Sequence, residues 1–399
     1  MKFLRTASTG RLLAMIVGVA VAIAGGTAIA VAAAGSGPVP KRESLATAVH
    51  GAATAPAVKG ISADITFTNN LIGASDFQGG PTDPLLQGAS GRLWLSNDHR
   101  FRLELQSDNG DAQVVVNKRS FWISDPMQNV VYKGTLPASH ERATRGSARH
   151  GIPTIAQIQS DINRLAKRVN LSTAVPGDIA GQPAYTVRVS PRHDGGLLGS
   201  LQLGWDAVRG VPLRFAIYAR DNSTPVLELK ATHITYGTVS ASVFNITPPA
   251  GDKVVTVATP QNKPAGGAIR SKHARARVHG VAAVASRLPF KLAAPHTLVG
   301  LPRHSVALLD MGGDPAALVT YGKGLGGIAV IEHAQSATGS GQGGGMSSLS
   351  LPTVSINGAT AHELDTPLGT VVTFDRDGVG YTVLGSVPSA AADMAARAL

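Results

Sequence analysis

No cysteine occurs anywhere in the chain. Disulfide bonds, cysteine-ligated zinc and lipid attachment at an N-terminal cysteine are therefore excluded. Aromatic residues make up only 5% of the sequence and charged residues only 15%. Glycine is abundant instead, with 46 residues beside 24 prolines, a composition typical of many short strands and turns rather than of a helical bundle. A length of 399 residues favours two domains over one.

Acidic residues are outnumbered, and the formal net charge is +11. A basic surface can meet nucleic acid, anionic lipid or anionic wall polymer, or can simply keep a protein soluble. Lys2, Arg5 and Arg11 precede an apolar run over residues 12–34, which is the pattern of an export signal and is long enough to span a bilayer. We expect residues 1–40 to be a signal peptide or an N-terminal membrane anchor. The rest of the chain is then exported to the cell envelope, with the membrane surface and not nucleic acid as a partner.

Apolar and polar residues alternate through most of the sequence between residues 61 and 258. Leu93 and Leu95 share one face with Leu103, while the residues between them are polar or charged. This period of two predicts an antiparallel meander of strands. We place a first domain at residues 41–258, a basic linker rich in proline and glycine at 259–279, and a smaller α/β domain at 280–399.

One helix is predicted to interrupt the strands. Ile155, Ile158 and Ile162 recur at helical spacing, with Leu165 and Val169 continuing the stripe. Thr154 and Gln157 have the form of a capping box at its start. Such a helix either closes one face of a sheet or acts as a movable lid, and the pattern leaves both interpretations open.

The hairpin at residues 120–137 carries apolar residues on both faces. Phe121 and Ile123 point one way and Trp122 the other, because successive side chains of a strand alternate. A strand that covers a core on one side only would show apolar residues on one face. The second apolar face therefore packs either against more core or against a ligand.

The sequence shows no arrangement of catalytic residues. A phosphate-binding glycine loop, a nucleophile elbow and a His-Glu-x-x-His zinc motif are all absent. His362, Glu363 and Asp365 have the composition of a metal site, but we interpret them as solvated polar groups. We therefore predict a protein that is not an enzyme and that uses no cofactor and no metal. A hydrolase acting on lipid or wall material is the less favoured alternative.

The hairpin at 121–137 resembles the Trp–turn–Asn-x-Val-Tyr hairpin of the LolA/LppX/RseB-like superfamily. The stretch Phe-x-x-x-Pro-Pro-x-Gly that begins at Phe244 is similar to the end of that domain, and the resemblance covers about residues 58–258. The motifs RLPFKLAAP, LVTYGKGLGGIAVIEHA and GYTVLGSVPSAAADMAARAL are similar to the small second domain of RseB/MucB proteins. A freely shuttling carrier shows neither the basic linker nor the glycines at 339–345 nor the long apolar N-terminus.

This resemblance implies an α+β fold: an antiparallel open half β-barrel covered by helices, followed by the smaller domain. It also implies a cavity for acyl chains of lipids or lipoproteins, in a carrier or a sensor. The alternative is a regulator of envelope-stress signalling that acts through an anti-sigma factor or another envelope protein. Alternation selects the candidate cavity residues, which are Leu93, Leu95, Leu103, Val114, Val116, Trp122, Ile155, Ile158, Ile162 and Phe215.

Overall fold

The computed structural model describes residues 39–71, 88–106, 111–126, 129–136, 153–193, 195–257, 278–311, 314–335 and 351–399. The predicted N-terminal signal or anchor, nearly all of the basic linker and the glycines at 339–345 lie outside these ranges. Within them, no helix is long and apolar enough to cross a membrane.

The first domain is built on a curled sheet of thirteen strands within the described ranges. Strand β1 lies at its middle, paired on one side with β2 of a meander that runs to β6 and on the other with β12 of a second meander. All pairs are antiparallel except that of the last strand, β13, which joins the edge of β6 in parallel. The strands are β1 (Gly60–Asn69), β2 (Ala89–Ser96), β3 (Arg100–Gln106), β4 (Ala112–Asn117), β5 (Ser120–Asp125), β6 (Val130–Thr135), β7 (Val169–Leu171), β8 (Val175–Ile179), β9 (Gln182–Pro191), β10 (Leu198–Asp206), β11 (Pro212–Ala219), β12 (Pro225–Tyr236) and β13 (Lys253–Val257).

One face of this sheet is continuously apolar, and we call it the inner face. In β1 the side chains of Ile61, Ala63 and Ile65 are buried, while Asp64 between them is exposed. Leu95 pairs with Ile61, and Leu93 pairs with Ala63, so the apolar positions of neighbouring strands stand in register. Burial of this face supplies about 25 cal/mol per Å² of apolar surface removed from water.

Two helices lie beside the sheet, α1 (Leu45–Thr54) and α2 (Ile155–Leu165). Ala48 of α1 packs on the inner face with Tyr185, Val187 and Trp205. The predicted capping box of α2 is confirmed, since Thr154 and Gln157 bond reciprocally. Helix α2 packs against α1. The prediction that Val169 continues the helical stripe is wrong, because the helix ends at Leu165 and Val169 opens strand β7.

The opposite, outer face is crossed by residues 237–252, which connect β12 to β13 and which we call the strap. A short 3-10 helix within it, Ala241–Phe244, places the Phe244 side chain at 1% exposure. The Arg102 Nη1 atom donates to the carbonyl oxygen of Val243 at 2.9 Å. Asn117 Nδ2 donates to Asn245 Oδ1 at 2.6 Å. These bonds fix the strap against β3 and β4.

The second domain is a smaller sheet with two helices in its described residues, and each pair of its described strands is antiparallel. Helix α4 packs Ala392, Ala395 and Ala396 against β20 and β21 with no exposed surface on those three residues. The elements are α3 (Val281–Ala285), β14 (Thr297–Leu298), β15 (Leu301–Met311), β16 (Asp314–Tyr321), β17 (Ile328–Ala334), β18 (Thr353–Ile356), β19 (Ala359–Thr366), β20 (Gly369–Arg376), β21 (Val379–Gly385) and α4 (Ser389–Arg397).

Candidate functional site

Five of the predicted cavity residues lie together on the inner face. Leu93 pairs with Leu103, which pairs with Val114, and Leu95 and Val116 flank Phe101 in the same way. The side chains of Leu103 and Val114 are each 2% exposed and belong to one packed core. At these two positions the inner face is therefore filled by its own side chains.

Phe215 extends the same face toward the second meander. It pairs with Leu203 on one side and with Leu229 on the other, and Leu229 pairs with Phe67 of β1. Phe215 is half-buried. The inner face is thus continuous from β4 to β9, as a half-barrel requires.

Trp122 does not share a surface with these residues, which corrects the predicted grouping. It pairs with Val115 across the strands and packs with Val131 and Ile246 on the outer face, beneath the strap. A cavity of about 150 Å³ adjoins it there. Because side chains of a strand alternate, Trp122 is turned away from the face that Ile123 and Val114 share. The second apolar face of the hairpin is therefore core covered by the strap.

The three predicted isoleucines of α2 differ in how far they are buried. Ile158 is buried, Ile162 is half-buried and Ile155 is 44% exposed. Leu165, at the end of the same stripe, is 48% exposed. His50 of α1 lies with Nδ1 3.0 Å from the carbonyl oxygen of Pro153, which ties the two helices at one end. Helix α2 is thus a second layer on α1, with an apolar stripe that is covered at Ile158 and nearly half exposed at its two ends.

Helix α1 packs against an aromatic pair that the sequence patterns did not indicate. The rings of Tyr185 and Trp205 lie 6.1 Å apart on the inner face. The Tyr185 hydroxyl donates to the carbonyl oxygen of Lys41 at 2.6 Å. Burial raises the pKa of Tyr185, and the nearby Glu43 raises it further. The cross-strand register of β9 and β10 brings this pair together, and that register is not encoded locally.

A second polar group that the sequence did not single out is Glu332 in the core of the second domain. Its carboxyl is fully buried, and one oxygen accepts from the backbone N–H of Ala293 at 2.8 Å. Burial raises the pKa of Glu332 to about 7. Burial also raises the pKa of the neighbouring Tyr321 to about 12.

The candidate metal residues do not converge. His362 and Glu363 are adjacent in β19 and therefore point to opposite faces of the sheet. Burial raises the pKa of Glu363, and Asp393 and Asp365 raise it further. Within the described ranges no three His, Asp or Glu side chains form a group able to hold a metal.

Neither a family model nor a curated protein matches the chain. Among solved structures it is similar to MucB in complex with MucA(peri), at 17% identity and a TM-score of 0.39, over 84% of this chain and 91% of that one. It is likewise similar to a LolA superfamily protein from Nitrosomonas europaea, at 9% identity and a TM-score of 0.20, over 51% of this chain and 98% of that one. The expected α+β architecture is present, since the first sheet is a curled antiparallel half-barrel with helices beside it.

Proposed function

We propose that the chain is an exported, non-catalytic binding protein of the cell envelope that holds acyl chains of a lipid or lipoprotein against α2. The observation that carries this proposal is the exposure of the two ends of the apolar stripe of that helix. An amphipathic helix normally buries its apolar stripe against its own domain. Here Ile155 and Leu165 are 44% and 48% exposed, although the helix is firmly capped.

The charge around α2 favours a lipid as the occupant of this stripe. Lys167 and Arg168 follow the helix directly, are exposed and form no ion pair with a described carboxylate. An acyl chain on the stripe would place an anionic headgroup near these cations. Apolar contact with the stripe would contribute about 25 cal/mol per Å² of surface covered.

The test is lipid extraction from the full chain purified out of its own envelope, followed by mass spectrometry. We expect co-purified acyl lipid in the wild-type protein and at least a fivefold loss in the double variant Ile155→Ser, Leu165→Ser. The matched control is Gln159→Ser, Asn163→Ser, which changes only the mutual hydrogen bond on the polar side of the same helix. Circular dichroism checks that α2 stays folded in both variants. Absence of lipid from the wild type, or equal lipid in all three proteins, contradicts the proposal.

The alternative of a regulator that acts through an anti-sigma factor or another envelope protein has a different signature. Crosslinking of the full chain in its own cells would then capture a stoichiometric protein, and lipid would be absent from the purified chain. Detection of a hydrolysed lipid or wall fragment would instead favour the hydrolase.

A further inference from the structure

A cavity of about 150 Å³ lies on the outer face of the first domain, between the β4–β5 hairpin and the strap, and we call it the strap cavity. Helix α1 packs on the inner face, so the sheet separates the two. The apolar side chains that line the cavity are Val115, Trp122, Phe244 and Ile246. The polar side chains that line it are Asn117, Ser120 and Asn245.

Burial distinguishes the apolar from the polar part of this lining. Val115, Trp122 and Phe244 are buried, whereas Ser120 and Asn245 are exposed. The apolar residues therefore form the floor of the cavity, and the cavity reaches solvent at a polar rim. Ligand sites in proteins commonly have this layout, in which an apolar wall supplies contact area and a few polar groups fix the orientation of the ligand.

Hydrogen bonds hold the rim in place. Asn117 and Ser120 pair across β4 and β5, and the Ser120 hydroxyl donates to the carbonyl oxygen of Asn117 at 3.0 Å. Asn117 Nδ2 donates to Asn245 Oδ1 at 2.6 Å. This bond does not use Asn117 Oδ1, an acceptor, or the second function of the other amide, the donor Asn245 Nδ2. Because the two amides are already ordered, binding a ligand costs less side-chain freedom.

The lining indicates a neutral ligand with both polar and apolar groups. No charged side chain is among the described residues that line the cavity. A carboxylate or a phosphate would lose hydration there without meeting a counter-charge. A hydrocarbon would contact the floor but would use none of the donors and acceptors of the rim. A ligand that matches both parts has C–H groups on its body and hydroxyl groups at its edge.

We propose that the strap cavity binds one ring of a neutral saccharide. The C–H groups of a sugar ring pack on aromatic and aliphatic side chains, and each of its hydroxyl groups both donates and accepts, as the amides of Asn117 and Asn245 require. An apolar cavity of about 150 Å³ holds one benzene-sized ring, so the strap cavity admits a single ring with its hydroxyl groups toward the rim. The site does not depend on lipid being held at α2.

The ring can be a free sugar or the terminal ring of a glycan. Titration of the full chain with glucose, galactose and mannose, followed by saturation-transfer NMR, tests the first source. The methyl glycosides of the same sugars test the second, because a glycoside mimics a ring attached to a glycan. We expect saturable binding in at least one arm. Asn245→Ala should weaken it about tenfold, since it removes hydrogen-bonding groups of the rim.

A second variant tests the floor, and a matched asparagine serves as the control. Val115→Leu narrows the cavity and should also weaken binding. The control Asn222→Ala changes an exposed asparagine outside the cavity, whose Oδ1 accepts from the Thr224 backbone N–H at 2.8 Å, and it should bind as the wild type does. Circular dichroism checks the folding of all three variants.

Four results overturn the proposal. The first is the absence of binding in both arms, and the second is an equal loss of affinity in Asn245→Ala and Asn222→Ala. The third is wild-type affinity in both Asn245→Ala and Val115→Leu. The fourth is cyclohexanol binding as tightly as the sugars, because the cavity would then select an apolar ring without using the rim.

Discussion

Glu332 shows how one side chain makes the stability of a domain depend on pH. It lies opposite Ala317 and Tyr381 on the neighbouring strands, with no exposed surface. One of its oxygens accepts from Ala293, and the other has no partner in the described part of the chain. A charged carboxylate is costly in such surroundings, so the neutral acid is favoured, and the pKa of Glu332 rises from 4.5 to about 7.

The sign of the pH dependence follows from these two values. Below pH 4.5 the carboxyl is neutral in the folded and the unfolded chain. Between pH 4.5 and about 7 the unfolded chain releases the proton and the folded chain keeps it, so the stability of the second domain falls with rising pH. Above pH 7 both states are charged, and the loss levels off at about 3 kcal/mol.

Glu332→Gln should remove most of this decline. The amide is neutral at every pH and retains an oxygen for the Ala293 N–H. Calorimetric unfolding at pH 5 and pH 8 measures the effect, and tryptophan fluorescence identifies the first domain's transition, because Trp94, Trp122 and Trp205 all lie there. The control Asp314→Asn changes an exposed acid of the same sheet and should leave the decline in place. Parallel declines in the wild type and Glu332→Gln would contradict this account.

At the scale of elements, the strands and the start of α2 were predictable because their signals are local. The alternation around Leu93 and Leu103 predicts β2 and β3, and the Thr154–Gln157 pair predicts the start of α2. The side that Trp122 occupies was not predictable, since both faces of its hairpin are apolar. Trp122 is covered by Ile246 of the strap, which lies more than a hundred residues further along the chain. No local sequence pattern indicates such a contact.

Trp122→Ala therefore tests the strap as a structural element. The side chain is 9% exposed, and its removal should lower the free energy of unfolding of the first domain by about 3 kcal/mol, while lipid content per folded protein stays unchanged. Trp94→Ala is the matched control, since Trp94 is also on the outer face but only partly buried, with Arg102 5.0 Å from its ring. Trp94→Ala should lower the free energy of unfolding by about 1 kcal/mol. Urea unfolding followed by circular dichroism measures both variants. Loss of lipid without loss of stability in Trp122→Ala would place the residue in a ligand site instead.

At the scale of the molecule, two features could not be predicted from the sequence, for the same reason. The parallel pairing of β13 with β6 and the second-layer position of α2 both depend on contacts between distant segments. The candidate site was only partly predictable for the same reason. Alternation selected Leu103 and Val114, which are closed core, whereas the exposure of Ile155 and Leu165 depends on where α2 packs.

The loop that joins β9 to β10 makes one contact between the two domains. The backbone N–H of Leu197 lies 3.0 Å from the carbonyl oxygen of Ser386, and the Ser386 hydroxyl donates to the carbonyl oxygen of Leu368. Gly196 has a φ of 58°, and a Cβ atom there would lie 2.3 Å from the Ser386 carbonyl oxygen. Only glycine fits this approach, so Gly196 sets how closely the loop meets the second domain.

Gly196→Ala should therefore separate the domains at this contact. The added methyl group meets backbone of the second domain, which cannot move aside as a flexible side chain would. Small-angle X-ray scattering should show a larger radius of gyration. Gly181→Ala is the control, because Gly181 has a φ of 73° with no atom within 4 Å of the added Cβ and so carries only the left-handed backbone strain of about 1 kcal/mol. If Gly196→Ala scatters as Gly181→Ala does, the contact at Gly196 does not set the spacing of the domains.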